Sequence, residues 1–223
     1  MPKKAVCLFS GGLDSTTALY SALKSGYEPI ALTIQYGQLH EKETEFAKLT
    51  ASKLGIKHFV VPITMPWGGS SLIDRSISMP KGRALAEMEK DIPNTYVPAR
   101  NSIFLAFAVS CAETVGAQAV FIGANALDYS GYPDCRPEFF KSFEDVIAKG
   151  TKAGTLGKKI EIKAPLLHLS KKEIIELGKT LSVPYQNTWS CYQDGEKPCG
   201  VCDSCLLRAK GFHEAKLKDP ALS

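Results

Sequence analysis

Short apolar runs alternate with stripes of helical period along this chain. Residues 4–9 form an apolar run that ends at a glycine-containing turn, and residues 15–24 then carry helical composition until Gly26. Residues 29–35 place Ile30, Leu32 and Ile34 on one side, which predicts a second strand. Residues 41–54 place Phe46, Leu49 and Leu54 on one side of a helix stopped by Gly55, and residues 57–62 read as a third strand. This strand–helix–strand–helix–strand order predicts a parallel sheet with right-handed crossovers, since strand twist fixes the hand of each connection.

Residues 63–94 break the rhythm with Pro66, Gly68, Gly69, Pro80, Gly82 and Pro93, leaving room for one short helix near residues 83–89. A stretch of that length without regular pattern predicts a lid or an insert. Order returns after Pro98. A striped helix over 101–115 is closed by Gly116, a fourth strand covers 119–123, and residues 125–137 are polar and turn-rich. A helix over 138–149 and a fifth strand over 160–164 follow. Ser170-x-x-Glu173 is a capping box that opens a helix to about residue 181, and a last short helix starts at Asp203. The expected fold is α/β: a Rossmann-like, doubly wound, mostly parallel five-stranded sheet. It would occupy residues 1–185, with residues 186–223 as a C-terminal segment packed on it.

Composition changes this picture little. The 223 residues are 44% hydrophobic and 22% charged, which excludes disordered and collagen-like classes and fits one large domain with a small appendage. The net charge of +4, without a block of like charges, reads as a solvated lysine-bearing surface and not as a nucleic-acid footprint. No apolar segment approaches the roughly 20 residues that cross a bilayer. Residues 5–9 are too short for the core of a signal peptide, so a cytoplasmic protein is expected. Four of the seven cysteines crowd between residues 191 and 205, while Cys7, Cys111 and Cys135 are scattered. That pattern reads as a metal site plus three free thiols, not a disulfide framework.

Two motifs carry chemistry. The first strand runs straight into Ser10-Gly11-Gly12-Leu13-Asp14-Ser15-Thr16-Thr17, which opens a helix. A helix N-terminus offers unpaired N–H groups and the positive end of the dipole, so an anion sits well there. Gly11 and Gly12 let the backbone curl without a Cβ clash. The hydroxyls of Ser10, Ser15 and Thr16 can add donors, and Asp14 can hold a magnesium ion that bridges phosphates. No lysine follows the glycines as in the P-loop, and the spacing is not G-x-G-x-x-G. A lone Ser-Gly-Gly would be an ordinary capped turn; the whole string between strand and helix points to nucleotide phosphates.

The second motif is Cys191-x7-Cys199-x2-Cys202-x2-Cys205. Four sulfurs suit tetrahedral zinc in a closed, structural site. Gly200 eases the tight turn, and Cys205 would start the last helix, whose N–H groups help hold its thiolate. The same run of spacings also occurs in iron–sulfur proteins, which leaves that alternative open. A zinc knuckle can also bind nucleic acid, but Lys197, Arg208 and Lys210 make only a thin basic patch.

Two polar segments follow elements whose ends should face the nucleotide, since ligands in open α/β sheets bind outside the carboxyl ends of strands. They supply Arg100, Asn101, Asn125, Asp128, Tyr129, Tyr132, Asp134 and Arg136 as candidate substrate residues. Tyr129 and Tyr132 can stack on a planar base, Asp134 can accept from a guanine-like N–H edge, and Arg136 can pair a carboxylate. For any one of them, a turn stitched by its own hydrogen bonds is an equal reading. Lys163 and His168 are candidate general bases, each also readable as a surface or capping residue.

The string Ser10 to Ser15 resembles the pyrophosphate loop (PP-loop) of the N-type ATP pyrophosphatases. That resemblance implies an adenine nucleotide alpha hydrolase-like fold, and adenylation of a carboxyl or carbonyl oxygen before a nitrogen or sulfur nucleophile enters. With Val97-Pro98-Ala99-Arg100-Asn101, the run from Asp128 to Arg136, and Cys199-Gly200-Val201-Cys202-Asp203-Ser204-Cys205, the chain resembles the QueC (formerly ExsB) family of 7-cyano-7-deazaguanine synthases over essentially its whole length. This implies a C–N-forming ligase of queuosine biosynthesis. It would convert 7-carboxy-7-deazaguanine and free ammonia to 7-cyano-7-deazaguanine (preQ0) through an adenylated carboxylate and an amide. The length leaves no room for a glutaminase domain, in keeping with free ammonia.

The resemblance further implies that Phe9, Ser10, Gly11, Gly12, Leu13, Asp14, Ser15, Thr16, Thr17, Ala18 and Leu19 line the ATP site. Ser10, Asp14 and Ser15 would act in catalysis, magnesium would accompany the nucleotide, and Cys191, Cys199, Cys202 and Cys205 would hold structural zinc. A homodimer without a nucleic-acid partner is expected. Two rivals share parts of the pattern: a PP-loop tRNA thiolase or lysidine synthetase, and a non-enzymatic zinc-containing regulator that binds nucleic acid. The second needs a strongly basic face.

Overall fold

The computed structural model of the chain describes residues 2–84, 92–127 and 132–222. The strands are β1 (Lys3–Leu8), β2 (Tyr27–Gln35), β3 (His58–Pro62), β4 (Ala119–Phe121) and β5 (Glu161–Lys163). The helices are α1 (Leu13–Lys24), α2 (Lys42–Leu54), α3 (Arg100–Val115), α4 (Pro137–Gly150), α5 (Lys152–Thr155), α6 (Lys171–Thr180) and α7 (Asp203–Glu214). The sheet has the order β3-β2-β1-β4-β5 and every pairing is parallel. Val6 sits at the centre, opposite Ile30 on one side and Val120 on the other.

Both faces of the sheet are covered, as a parallel sheet requires. Alternation along β1 divides the work. Ala5 and Cys7, with Phe9 just beyond the strand, pack with Leu19 and Ala22 of α1 and Ala47 and Ala51 of α2. Val6 and Leu8 point the other way, into a larger cluster with Leu105, Ala108 and Ala112 of α3 and Phe140 and Ile147 of α4. The chain leaves β1 for β2 on one side and returns to β4 on the other. The carboxyl end of β1 is therefore the topological switch point, where α/β sheets open a crevice.

The expected elements are present, with shifted ends. Helix α1 starts at Leu13, not residue 15, because Gly12 is its N-cap and its carbonyl accepts from Thr16 N at 3.0 Å. The fourth and fifth strands are shorter than expected. The one-turn helix α5 is additional; Thr151 caps it, accepting from Gly154 N at 2.9 Å. Ser170 and Glu173 form the reciprocal capping box of α6. Most of the short helix expected near residues 83–89 lies outside the described residues. The flanking parts of that segment are tied down: Leu72 O accepts from Leu39 N at 2.9 Å, Gly82 N donates to Val201 O at 2.8 Å, and Arg83 pairs with Asp203 at 3.0 Å.

Near the C-terminus α7 lies on α6. Phe212 joins Leu13, Ala18, Ile174, Ile175 and Tyr185 in one buried cluster, so the last helix shares core with the first. No helix among the described residues is long and apolar enough to cross a membrane.

Candidate active site

One cavity opens at the carboxyl ends of β1, β2 and β4, and the loop after β1 forms its floor. Gly11 adopts φ +93°, and a Cβ there would lie 2.3 Å from the Glu43 carbonyl oxygen and 2.6 Å from Ala47 N. The loop can lie this flat on α2 only because position 11 has no side chain. At Gly123, just past β4, a Cβ would come within 2.9 Å of the Asp14 carbonyl, so strand and helix approach equally closely there.

The loop is stitched by its own hydroxyls. Ser10 N donates to Ser15 Oγ at 3.2 Å, the two hydroxyls lie 3.0 Å apart, and Gly12 N donates to Ser10 Oγ at 3.3 Å. Ser10 Oγ also donates to Glu43 Oε1 at 2.7 Å. Asp14 is clamped from α6: Lys171 Nζ donates to both of its carboxylate oxygens at 2.7 Å. Behind the loop, Leu13 N donates to Ser190 Oγ at 3.5 Å and Trp189 N donates to Gly11 O at 3.1 Å.

Of the residues expected to touch nucleotide, Phe9, Ser10, Gly12, Leu13, Asp14 and Ser15 line the cavity. Gly11 turns against α2. Thr16, Thr17, Ala18 and Leu19 are buried, and the structure corrects the expectation that Thr16 offers its hydroxyl to phosphate. Thr16 Oγ1 donates back to Gly12 O at 2.7 Å, and Thr17 Oγ1 to Leu13 O at 2.9 Å. These hydroxyls belong to the first turn of the helix.

Arg100 and Asn101 enter at the N-terminus of α3, behind Ala99, a non-glycine residue held at φ 54°. Such strain persists only where the surroundings over-determine it. Arg100 lies 5.7 Å from the ring centres of both Tyr36 and Phe104, and its guanidinium reaches the Tyr36 hydroxyl at 3.5 Å. Burial works against the Arg100 charge, but Tyr36, Tyr132 and Cys135 outweigh it and the pKa rises. Burial and neighbouring Asp134 push the Cys135 thiol up to about 11, against the pull of Arg100.

Several candidate substrate residues have structural partners. Asp134 caps α3 from across the chain, its Oδ2 accepting from Asn101 N at 3.0 Å, while its Oδ1 is buried without a hydrogen-bond partner. Asn125 Nδ2 donates to Leu166 O at 3.3 Å, and its Oδ1 accepts from Leu127 N at 2.8 Å. Tyr132 shares a hydrogen bond of 2.9 Å with Thr95. Asn101, Asn125 and Tyr132 still border the cavity, as does Arg100. Arg136 does not: it is exposed at the N-cap of α4. Asp128 and Tyr129 lie outside the described residues. Neither candidate base reaches the cavity. Lys163 pairs with Glu161 at 2.7 Å on the edge strand, and His168 is exposed.

The sequence reading missed Tyr36, His40, Glu43, Lys171, Ser190 and Tyr192. All but Lys171 line the cavity, and Lys171 acts through Asp14. His40 and Glu43 sit in a charge-rich helix start that reads as solvated surface, and only the loop folding onto α2 brings them in.

The four clustered cysteines bring their sulfurs within 4.8 Å of one another. A tetrahedral zinc with Zn–S of about 2.3 Å needs sulfurs about 3.8 Å apart, so the set fits such an ion after slight contraction. Backbone N–H groups already point at the sulfurs: Cys199 N donates to Cys191 Sγ at 3.3 Å and Cys202 N to Cys199 Sγ at 3.4 Å. Hydrogen bonds from Cys202 and Cys205 hold the Cys191 thiol well below its usual range, while the same contact lifts Cys202 to about 11. Four crowded sulfurs cannot all carry charge without a cation among them. Cys202 is the N-cap of α7, and Cys205 falls within its first turn instead of starting it. No cysteine forms a disulfide.

Arg208 is not part of a basic surface patch. It is buried against Asp219 at 2.6 Å and donates to Thr188 Oγ1 at 2.9 Å and Tyr185 O at 3.2 Å. It thereby shapes the segment that carries Ser190 to the cavity.

Comparison with known proteins places this architecture. The family model for queuosine biosynthesis protein QueC matches residues 4–216. A 7-cyano-7-deazaguanine synthase of Trichodesmium erythraeum is 52% identical over 98% of this chain and 100% of its own length. One of Desulfitobacterium hafniense is 52% identical over 98% of this chain and 92% of its own. Among solved structures, the NMN synthetase of Francisella tularensis aligns at 20% identity and TM-score 0.45, over 97% of this chain and 87% of that one. The chain belongs to the QueC family.

Proposed function

We propose that this chain is a 7-cyano-7-deazaguanine synthase, an ATP-dependent ligase that turns 7-carboxy-7-deazaguanine and free ammonia into the nitrile preQ0. One observation carries the reading: a single cavity joins the Ser10–Ser15 loop to Arg100, Asn101 and Tyr132. Family membership favours it over a tRNA-modifying enzyme or a nucleic-acid-binding regulator.

The chemistry assigns the parts. A carboxylate oxygen leaves poorly, and transfer of AMP to it makes it a good leaving group. The loop N–H groups and the Ser10 and Ser15 hydroxyls receive the pyrophosphate that departs. Asp14 would hold magnesium, which neutralises charge on the departing phosphates. Arg100, a half-buried cation among Tyr36, Phe104 and Tyr132, takes the role of substrate-carboxylate partner first given to Arg136, and the flanking rings suit a planar deazapurine. Ammonia then displaces AMP to give the amide. A second adenylation, on the amide oxygen, lets that oxygen leave and the nitrile form.

Four cysteines without an open position suit structural zinc, which would pin residues 186–223 onto a catalytic unit of residues 1–185. A cytoplasmic homodimer, with the described parts of residues 63–94, which include the cavity-lining Leu72, covering the substrate, completes the proposal. The test is to incubate the protein with ATP, magnesium, ammonium and 7-carboxy-7-deazaguanine and to follow deazapurines and nucleotides by mass spectrometry. Nitrile that requires both ATP and ammonium, and is lost in Asp14→Ala, supports the assignment. Zinc-loaded, ATP-binding protein without turnover rejects it.

A further inference from the structure

A ligase that makes a nitrile must remove protons from nitrogen. Ammonium sheds one before its lone pair can attack, and the amide nitrogen loses both of its protons on the way to the nitrile. The two bases first considered, Lys163 and His168, do not line the cavity.

His40 does. It is the one histidine lining the cavity among the described residues. It is 4% exposed, and its Nδ1 has no hydrogen-bond partner. A buried ring nitrogen left unpaired in a residue that lines the cavity calls for an explanation, and a catalytic role is one such explanation. The other nitrogen, Nε2, lies 3.7 Å from Glu43 Oε2, a contact that becomes an ion pair when the ring takes up a proton. Glu43 Oε1 accepts from Ser10 Oγ at 2.7 Å. The imidazole is thus linked through one carboxylate to the loop where the nucleotide's phosphates belong, and Tyr192 flanks it with ring centres 6.2 Å apart.

We infer that His40, positioned by Glu43, is the proton acceptor of the ligase reaction. This rests on the synthase reading above and adds to it the residue that handles nitrogen's protons. In the first half, nitrogen bonds to the acyl carbon, the carbon–oxygen bond to AMP breaks with its electron pair leaving on AMP, and an N–H proton passes to His40. In the second half, the amide oxygen attacks the α-phosphorus of ATP and pyrophosphate leaves. The nitrogen then gives up one proton as the adenylated imidate forms. It gives up the other as the carbon–oxygen bond breaks and AMP departs. His40 accepts each in turn and passes it to solvent.

The test separates adenylation of the carboxylate, which moves no proton from nitrogen, from the steps that do. His40→Gln and His40→Asn are compared with wild type in two assays. One is pyrophosphate–ATP exchange dependent on 7-carboxy-7-deazaguanine; the other is nitrile formation from the carboxylate and from the supplied amide. Exchange should stay within about threefold of wild type, which also shows that the variants fold. Nitrile formation should fall roughly 100-fold or more from either starting compound, as for loss of a general base. Nitrile at the wild-type rate overturns the assignment. So does equal loss of exchange and nitrile formation in both variants with native melting, which would make His40 a nucleotide-binding residue. Wild-type protein without exchange or nitrile formation would instead defeat the synthase reading itself.

Discussion

Lys171 Nζ donates to both carboxylate oxygens of Asp14 at 2.7 Å, bridging the first turn of α6 to the first turn of α1. The lysine side chain is 8% exposed and the aspartate 24%. Breaking a fully buried pair costs about 3–5 kcal/mol, and the partly open aspartate lowers that figure. Lys171→Met should therefore destabilise the protein by about 2 kcal/mol and lower ATP-dependent turnover at least tenfold. Denaturant melts and nucleotide titration check both. A variant with native stability and full turnover would show that the contact is incidental.

Gly11→Ala should be among the most damaging single changes. Its methyl group would overlap the rigid Glu43 backbone carbonyl at 2.3 Å, at a φ of +93°. Overpacking of this kind costs typically 1–3 kcal/mol, and the left-handed conformation adds to it. The expected result is a lowered melting temperature with nucleotide affinity lost, read by calorimetry and ATP binding.

Ala99 is the opposite case. Its φ of 54° places a Cβ in the left-handed region immediately before Arg100. Ala99→Gly removes a strain of about 1–2 kcal/mol and adds roughly 0.5–1 kcal/mol of unfolded-chain entropy. The variant should be slightly more stable while KM for the carboxylate substrate rises, because Arg100 is held less firmly. A gain in stability with KM unchanged would mean that the strain has no part in orienting Arg100.

The cysteine cluster should carry one metal ion per chain. Elemental analysis should find zinc, and iron with a visible absorption band would indicate a cluster instead. Chelation should lower the melting temperature and loosen Ser190 and Trp189, which lie just ahead of Cys191 and reach the phosphate loop. Cys199→Ser should do the same. Metal-free protein melting at the holoprotein temperature would remove the structural role.

His58 gives the pH response a sign. Its Nε2 lies 2.7 Å from Thr33 Oγ1, and burial, with Lys48 nearby, holds its pKa below the usual histidine value. As pH falls through about 6.5, the unfolded chain takes up a proton that the folded chain refuses, so this residue makes stability fall until the folded-state pKa is passed. His58→Gln should flatten the stability profile in that window. An unchanged slope would assign the effect elsewhere.

Much of this was legible in the sequence, for reasons that also mark its limits. Residues 4–9 ending at Ser10-Gly11-Gly12 showed strand, turn and helix start, because local sterics demand those residues in that order. Which loop atoms face the cavity was not legible: Thr16 has the right chemistry, but helix geometry turns it back onto Gly12 O. Arg136 and Arg100 look alike as candidate carboxylate partners, and only the packing of α3 against β1 decides between them. Lys171 reaches Asp14 across 157 residues, and His40 and Glu43 enter only because Gly11 lets the loop lie on α2. Contacts of that range leave no periodic trace.

The most direct test of the central claim follows oxygen. The protein is given 7-carboxy-7-deazaguanine with both carboxylate oxygens isotopically heavy, together with ATP, magnesium and ammonium, and the AMP and phosphate pools are weighed by mass spectrometry. Sequential adenylation of carboxylate and amide predicts that each heavy oxygen leaves on its own AMP, so the label in AMP equals twice the nitrile formed. Heavy oxygen in inorganic phosphate, with ADP as co-product, would contradict the adenylate route and the role assigned to the Ser10–Ser15 loop.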